Sequence, residues 1–223
     1  MFNFDKSVLV LDSCALIFLS NVFIRGKSLL DFLIYDLKTD IYIAPAVHEE
    51  VRRLLSSQTA TYIEQTDEIL KREIYLRRTI KIGSPSDYCP SRIKGQAIEI
   101  TREGKLSESW LDRGERDSAA LALYFSKKYN VFFITGDFKA IKLLKEIFHR
   151  EFIGVIYSPH DLCVYLYSKG MLRHEQAEKL LFDIEEIISD FRTSEILPSR
   201  IEEYREKLKQ ICNISCKKPE CLS

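Results

Sequence analysis

The chain is short of the residues that break regular structure, with 8 glycines and 6 prolines among 223 residues. Together with 46% hydrophobic and 30% charged residues, that scarcity excludes a low-complexity or fibrous chain and leaves an ordinary globular one. Net charge is also lacking: 33 Lys and Arg balance 33 Asp and Glu. No overall field draws the chain to a polyanion, so a general nucleic-acid coat protein is excluded, while an enzyme touching a few phosphates is not. There is no long uninterrupted apolar run. Val8 to Ile24 comes nearest, but Asp12, Ser13, Ser20 and Asn21 interrupt it, and Asp5 stands where a signal peptide carries positive charge. A buried strand followed by a helix is expected there, with no membrane partner and a cytoplasmic location. Zinc-ribbon spacing is missing as well. Of the 6 cysteines, Cys14, Cys89 and Cys163 are isolated, and Cys212, Cys216 and Cys221 cluster without a CxxC pair or a nearby histidine. The segment 212–223 therefore reads as a frayed Cys-containing tail rather than a metal site.

What is present is an alternation of strand and helix patterns. Strands are expected at 7–12, 41–44, 131–135 and 153–157, each a short apolar or β-branched run. Helices are expected at Ser13–Phe18, Ser28–Leu37, from Pro45 onward, at Asp112–Tyr129, 138–149 and Pro159–Ser168. Residues 58–110 read as a helical insertion broken at Gly83-Ser84-Pro85-Ser86, with a second helix over Ser91–Arg102 capped at Gly104. After Gly170 two apolar helical stripes follow, one ending near Phe191 and one spanning Ile201–Ile211. The expected architecture is α/β: a three-layer α/β/α sandwich with a mainly parallel central sheet over residues 1–170, then a helical extension at 171–211.

Carboxylates sit where the chain leaves these strands. Asp12 follows Val8-Leu9-Val10-Leu11, and Asp137 follows Ile134-Thr135-Gly136. Glu50 follows the run ending at Pro45, and Glu115 and Asp117 open the helix before the Asp137 strand. The C-terminal ends of parallel strands open onto one crevice. Several acids crowded there repel one another, so some would protonate unless a cation were present. Mg²⁺ and Mn²⁺ are hard cations that take carboxylate and water oxygens. Asp12 and Asp137 are the expected direct ligands, with Glu50 and Asp117 completing the site directly or through water. Ser13 and Thr135 are placed to orient carboxylates or waters. Glu115 competes with Asp117 for the third acidic place. Asp112-x-x-Glu115 is also spaced as a helix capping box, and Asp117 shares a flank with Ala120, Leu121 and Tyr124, so Asp117 is preferred without excluding Glu115.

Four segments carry a family resemblance: Val10-Leu11-Asp12-Ser13, Pro45-Ala46-Val47-His48-Glu49-Glu50-Val51, Gly114-Glu115-Arg116-Asp117-Ser118-Ala119 and Ile134-Thr135-Gly136-Asp137. In this order and spacing, over about residues 7–170, the chain resembles the PIN domain, a metal-dependent nuclease fold. The resemblance implies an Mg²⁺- or Mn²⁺-dependent endoribonuclease cutting single-stranded or loop RNA, with Asp12, Glu50, Glu115, Asp117 and Asp137 as the catalytic acids. It selects Glu50 over its neighbour Glu49. Many proteins of this family are toxins paired with an antitoxin, which makes an antitoxin or another protein a candidate partner, although this chain is longer than those compact toxins.

The substrate surface is less defined. Arg113 and Arg116 flank the acidic helix start and are candidates for phosphate contact. Residues 71–105 hold nine Lys or Arg against four acids, with Tyr75 and Tyr88 available for base stacking, but a solvated helical hairpin explains them equally well. The competing function is a catalytically silent PIN-like module that binds RNA or protein. A haloacid-dehalogenase-type phosphatase is excluded because Cys14 stands where its second aspartate belongs. A homodimer through the C-terminal helices stays open.

Overall fold

The computed structural model describes residues 7–54, 60–83, 112–137, 140–142, 144–146, 155–191 and 200–215. In chain order, β1 (Ser7–Leu11) leads to α1 (Ser13–Asn21), a small hairpin of β2 (Phe23–Ile24) and β3 (Lys27–Ser28), α2 (Leu29–Asp31) and β4 (Asp40–Ile43). Then come α3 (Pro45–Leu54), α4 (Ala60–Leu70), β5 (Ile80–Ile82), α5 (Arg113–Ser126) and β6 (Asn130–Ile134). The described chain closes with β7 (Val155–Tyr157), α6 (Pro159–Ser168), α7 (His174–Phe191) and α8 (Ile201–Ser215). Residues 140–142 and 144–146, between β6 and β7, are helical.

The sheet has five parallel strands in the order β5-β4-β1-β6-β7. Helices cover both of its faces. Leu9 and Leu11 of β1 point into the larger core, shared with α1 to α4 and α6 to α8. Val8 and Val10 point into the smaller one, shared with α5, Ala140, Ile141 and Leu144. A parallel strand buried on both faces must be apolar at successive positions, which is why Val8–Leu11 and Val131–Ile134 are unbroken apolar runs. Among the described residues no helix is long and apolar enough to cross a membrane.

The structure departs from the sequence pattern in four places. First, α1 continues to Asn21, three residues beyond the expected end at Phe18. Second, Phe23–Ser28 folds into a hairpin whose two-residue turn, Arg25-Gly26, has positive φ at both positions (51° and 77°). That is the geometry a tight hairpin turn requires, and Gly26 supplies it without strain. Third, the expected helix Ser28–Leu37 is helical only over Leu29–Asp31 before widening into a π-type turn at Phe32–Asp36.

The fourth departure corrects the insertion. Residues 60–76 are helical as expected, through α4 and a π-type turn at Lys71–Leu76, but Ile80–Ile82 then forms β5, which pairs with β4 through Ile80, Lys81 and Ile82. A three-residue edge strand with a lysine in its middle leaves almost no periodic signal, and edge strands are commonly short and lysine-bearing. Its approach is fixed by Glu73, a fully buried side chain that accepts hydrogen bonds from Thr79 (2.5 Å), Arg72 Nε (2.5 Å) and Tyr35. Burial raises the Glu73 pKa, but these donors outweigh it and hold the carboxyl below its usual range. The expected helix Ser91–Arg102, the Gly104 cap, Tyr88, Cys89 and most of the basic segment lie outside the described residues, as do Cys216 and Cys221. Cys212 is a free thiol.

The C-terminal helices are not an appendage. Ala177, Leu180, Leu181, Ile184 and Ile187 of α7 and Tyr204 and Leu208 of α8 belong to the same core as the sheet. Tyr204 is 2% exposed; its hydroxyl donates to Asp161 Oδ1 at 3.1 Å and lies 3.2 Å from Ser158 Oγ. Most of the apolar stripe of α7 is thus buried within the chain, while Ile188 stays half-buried.

Candidate functional site

From β1 the chain winds outward through β4 to β5, then returns to β6 on the other side of β1. The reversal point lies between β1 and β6, and the crevice beyond their C-terminal ends is where open α/β sheets bind ligands. Asp12 and Asp137 leave their strands there. The Asp12 backbone N–H donates to the Ile134 carbonyl at 3.2 Å, tying the two strand ends together. Its Oδ1 accepts from the Ala15 N–H at 2.7 Å, capping α1. Asp137 caps the next helical residues in the same way, through Ala140 N–H at 3.1 Å.

Thr135, fully buried, lies by both aspartates: its hydroxyl favours the charged form of Asp12 and accepts from the Asp137 N–H at 3.2 Å. Ser13 donates to Glu50 Oε2 at 3.0 Å. Both residues thus hold acids in place, the role expected for Ser13 and Thr135. Gly136 is required by contact rather than conformation. A Cβ there would stand 2.6 Å from Phe18 and 2.7 Å from Cys14 Cβ, so the β6 exit lies directly against α1. Gly136→Ala is therefore expected to lower stability by about 1–3 kcal/mol, the cost of overpacking, measurable as a reduced denaturant midpoint with an unchanged slope.

On α5 the two competing acids have different surroundings. Asp112 and Glu115 do form a capping box, with Glu115 N–H to Asp112 Oδ1 at 2.8 Å and Asp112 N–H to Glu115 Oε2 at 2.9 Å. Glu115 is nonetheless 7% exposed and senses the charges of Asp137 and Asp12. Asp117 is equally buried but faces Arg113, whose Nε lies 3.8 Å away, along with Arg116 and Glu49. Two residues apart on a helix point about 200° apart, so both cannot enter one crevice. Glu115 is thus the one of the two that senses Asp12 and Asp137, while Asp117 lies beside Arg113 and Arg116. The flank shared by Asp117, Ala120 and Leu121 is buried as expected, and only Tyr124, two turns on, is 43% exposed.

The electrostatics follow from the crowding. Burial, aided by Asp112 and Asp137, pushes the Asp12 carboxyl up to about 7 against the pull of Thr135 and Ala15. Burial, then Asp112, Asp137 and Asp12, push Glu115 up to about 9. Glu50 is raised by burial and by Asp112, and Asp117 by burial. Cys14 is exposed in the first turn of α1, yet desolvation and the charges of Asp12, Glu50, Asp137 and Glu115 push its thiol well above the usual range. It is therefore a poor nucleophile.

Outside this centre a cleft of about 320 Å³ runs between α3 and α5, lined by Ala46, Glu49, Glu50, Arg53, Asp112, Arg113 and Gly114. Gly114 leaves its wall bare, since a Cβ would stand 3.0 Å from Glu50 Oε2. Glu49, Arg53 and Asp112 belong to this surface, and the sequence reading gave none of them a part in the site. The i, i+3, i+4, i+7 spacing of Ala46, Glu49, Glu50 and Arg53 was the available signal.

The donor set suits a hard divalent cation: carboxylate oxygens whose proton affinities are raised by burial and then by neighbouring acids. Among the described residues, however, no three His, Cys, Asp or Glu side chains are grouped closely enough to hold a metal ion as they stand. Comparison of the chain with protein-family models, with curated proteins and with solved structures yields no match.

Proposed function

We propose that this chain is a PIN-like, Mg²⁺- or Mn²⁺-dependent nuclease, and that its substrate is RNA cut internally. The observation that carries the reading is that Asp12 and Asp137 leave the paired strands β1 and β6 at the reversal point of the sheet, with Glu115 close enough to sense their charges. Burial, aided by the charges of Asp112 and Asp137, pushes Asp12 to about 7, and burial, then Asp112, Asp137 and Asp12, push Glu115 to about 9. A buried acidic cluster of this kind costs stability and persists where a cation is its working partner. Asp12 and Asp137 are the principal ligands, kept in register by Thr135. Glu50, oriented by Ser13, and Glu115 complete the set, with Asp117 on the outer side beside Arg113. A bound ion would activate water and neutralise charge on the departing oxygen. RNA, rather than DNA, rests on the resemblance of the four motifs.

One observation favours the alternative, a non-catalytic PIN-like module binding RNA or protein: no group of three ligating side chains stands ready among the described residues. A single assay separates the two. Full-length protein incubated with labelled single-stranded RNA and Mn²⁺ is expected to cleave it internally, and EDTA to stop the cleavage. RNA that is bound but stays intact under both conditions would establish the silent module instead.

A further inference from the structure

We propose that Glu49 occupies, on the guanidinium of Arg113, the place of a substrate phosphate, so that the Glu49–Arg113 pair is an internal competitor of RNA binding. The inference rests on the nuclease reading and names how its substrate is gripped. Arg113 stands at the first position of α5, and its Nη1 lies 3.2 Å from Glu49 Oε2 on α3. The two side chains close the mouth of the cleft that leads inward to Glu50. Glu49 is 62% exposed and Arg113 66% exposed, so water competes for both and the pair is worth little. A guanidinium binds a phosphate through two parallel hydrogen bonds, a stronger arrangement than one monodentate contact to an exposed carboxylate. Exchange of Glu49 for a phosphate is therefore favourable.

The lining makes a path for the backbone. Glu49, Glu50 and Arg53 share one face of α3, and Arg53 is near enough to Glu50 to stabilise its charge. Opposite, Gly114 offers no side chain between Arg113 and Glu50. A phosphate on Arg113 would thus sit outside Glu50, which Ser13 anchors at the inner end. The remaining contact of Arg113, Asp117 Oδ2 at 3.8 Å, keeps the guanidinium at the rim when Glu49 lets go. This assigns Asp117 a positioning task on the substrate side.

The test is a double-mutant cycle in the Asp12→Asn background, so that RNA is bound without being cut. Binding of a fluorescein-labelled single-stranded oligoribonucleotide would be followed by anisotropy across a salt series. Glu49→Gln is expected to tighten binding about two- to fivefold, the range an exposed ion pair allows. Arg113→Ala is expected to weaken binding and to lower the slope of log K against log salt by about 0.7, one phosphate contact on a single strand. In the Arg113→Ala protein, Glu49→Gln is expected to change nothing. Equal tightening by Glu49→Gln in both backgrounds would mean a general charge effect and overturn the proposal, as would RNA binding indifferent to Glu49. No binding by any of these proteins at low salt would instead remove the RNA reading itself, and this inference with it. Glu49 and Arg113 are both exposed, and asparagine at position 12 can still cap α1, so folding is not at stake.

Discussion

Asp12→Asn is expected to abolish Mn²⁺-dependent RNA cleavage and, at the same time, to raise the melting temperature of the metal-free protein at pH 8. Asparagine keeps the helix cap, because its carbonyl oxygen can still accept from the Ala15 N–H. It removes the charge. Burial, above all, lifts the Asp12 carboxyl from 3.8 to about 7, so the folded state favours the protonated form. The stability this contributes is complete below pH 4 and is lost as pH rises through about 7. At pH 8 the wild-type protein therefore carries an uncompensated buried charge costing a few kcal/mol, which the variant lacks; the two should melt alike at pH 4 and several degrees apart at pH 8. Millimolar Mn²⁺ should close that gap by stabilising the wild type alone. Thermal scans across pH 4–8, with and without Mn²⁺, measure all of this. A variant that still cleaves RNA, or a wild-type melting temperature indifferent to Mn²⁺, would refute the assignment of Asp12 as a ligand.

The second large effect concerns α5. Glu115→Gln is expected to reduce cleavage about 100-fold and Asp117→Asn no more than about 10-fold, the difference between a group inside the centre and one beside it. Glutamine preserves the capping box with Asp112, since its amide oxygen accepts from the same N–H. Burial and its acidic neighbours push Glu115 up to about 9, so without metal it is already protonated at pH 7. Its replacement by a neutral isostere should leave the melting temperature unchanged there. Loss of rate without loss of stability would separate a functional role from a structural one. The reverse order of the two variants would restore Asp117 as the inner acid.

Much of this site was legible before any coordinates. Asp12 and Asp137 stand out because each ends an unbroken apolar run, and a parallel strand buried on both faces must read that way. Thr135 and Ser13 could be named because a short hydroxyl beside a strand-end acid has few other tasks. Glu115 was harder. Its capping-box spacing is a complete structural explanation by itself, and only packing shows that one carboxylate can cap α5 and still face Asp12. Glu49 was weighed only as a rival to Glu50; its partner Arg113 is 64 positions away in sequence.

By itself the sequence determined the alternation of strands and helices, the two strand-exit aspartates and the apolar stripes of the last two helices. Each depends on local periodicity or on one residue's position at the end of a run. Only the tertiary structure decided that β5 completes the sheet, that the C-terminal helices join the same core, and that Glu115 senses Asp12 and Asp137 while the equally buried Asp117 lies beside Arg113. Those outcomes rest on contacts between distant segments: the Glu73 clamp before β5, Tyr204 against Ser158 and Asp161, and the rotation of α5 against β1. Local pattern carries a weak signal for such contacts, because the free energy that selects them comes from burial and from charge shared across the fold.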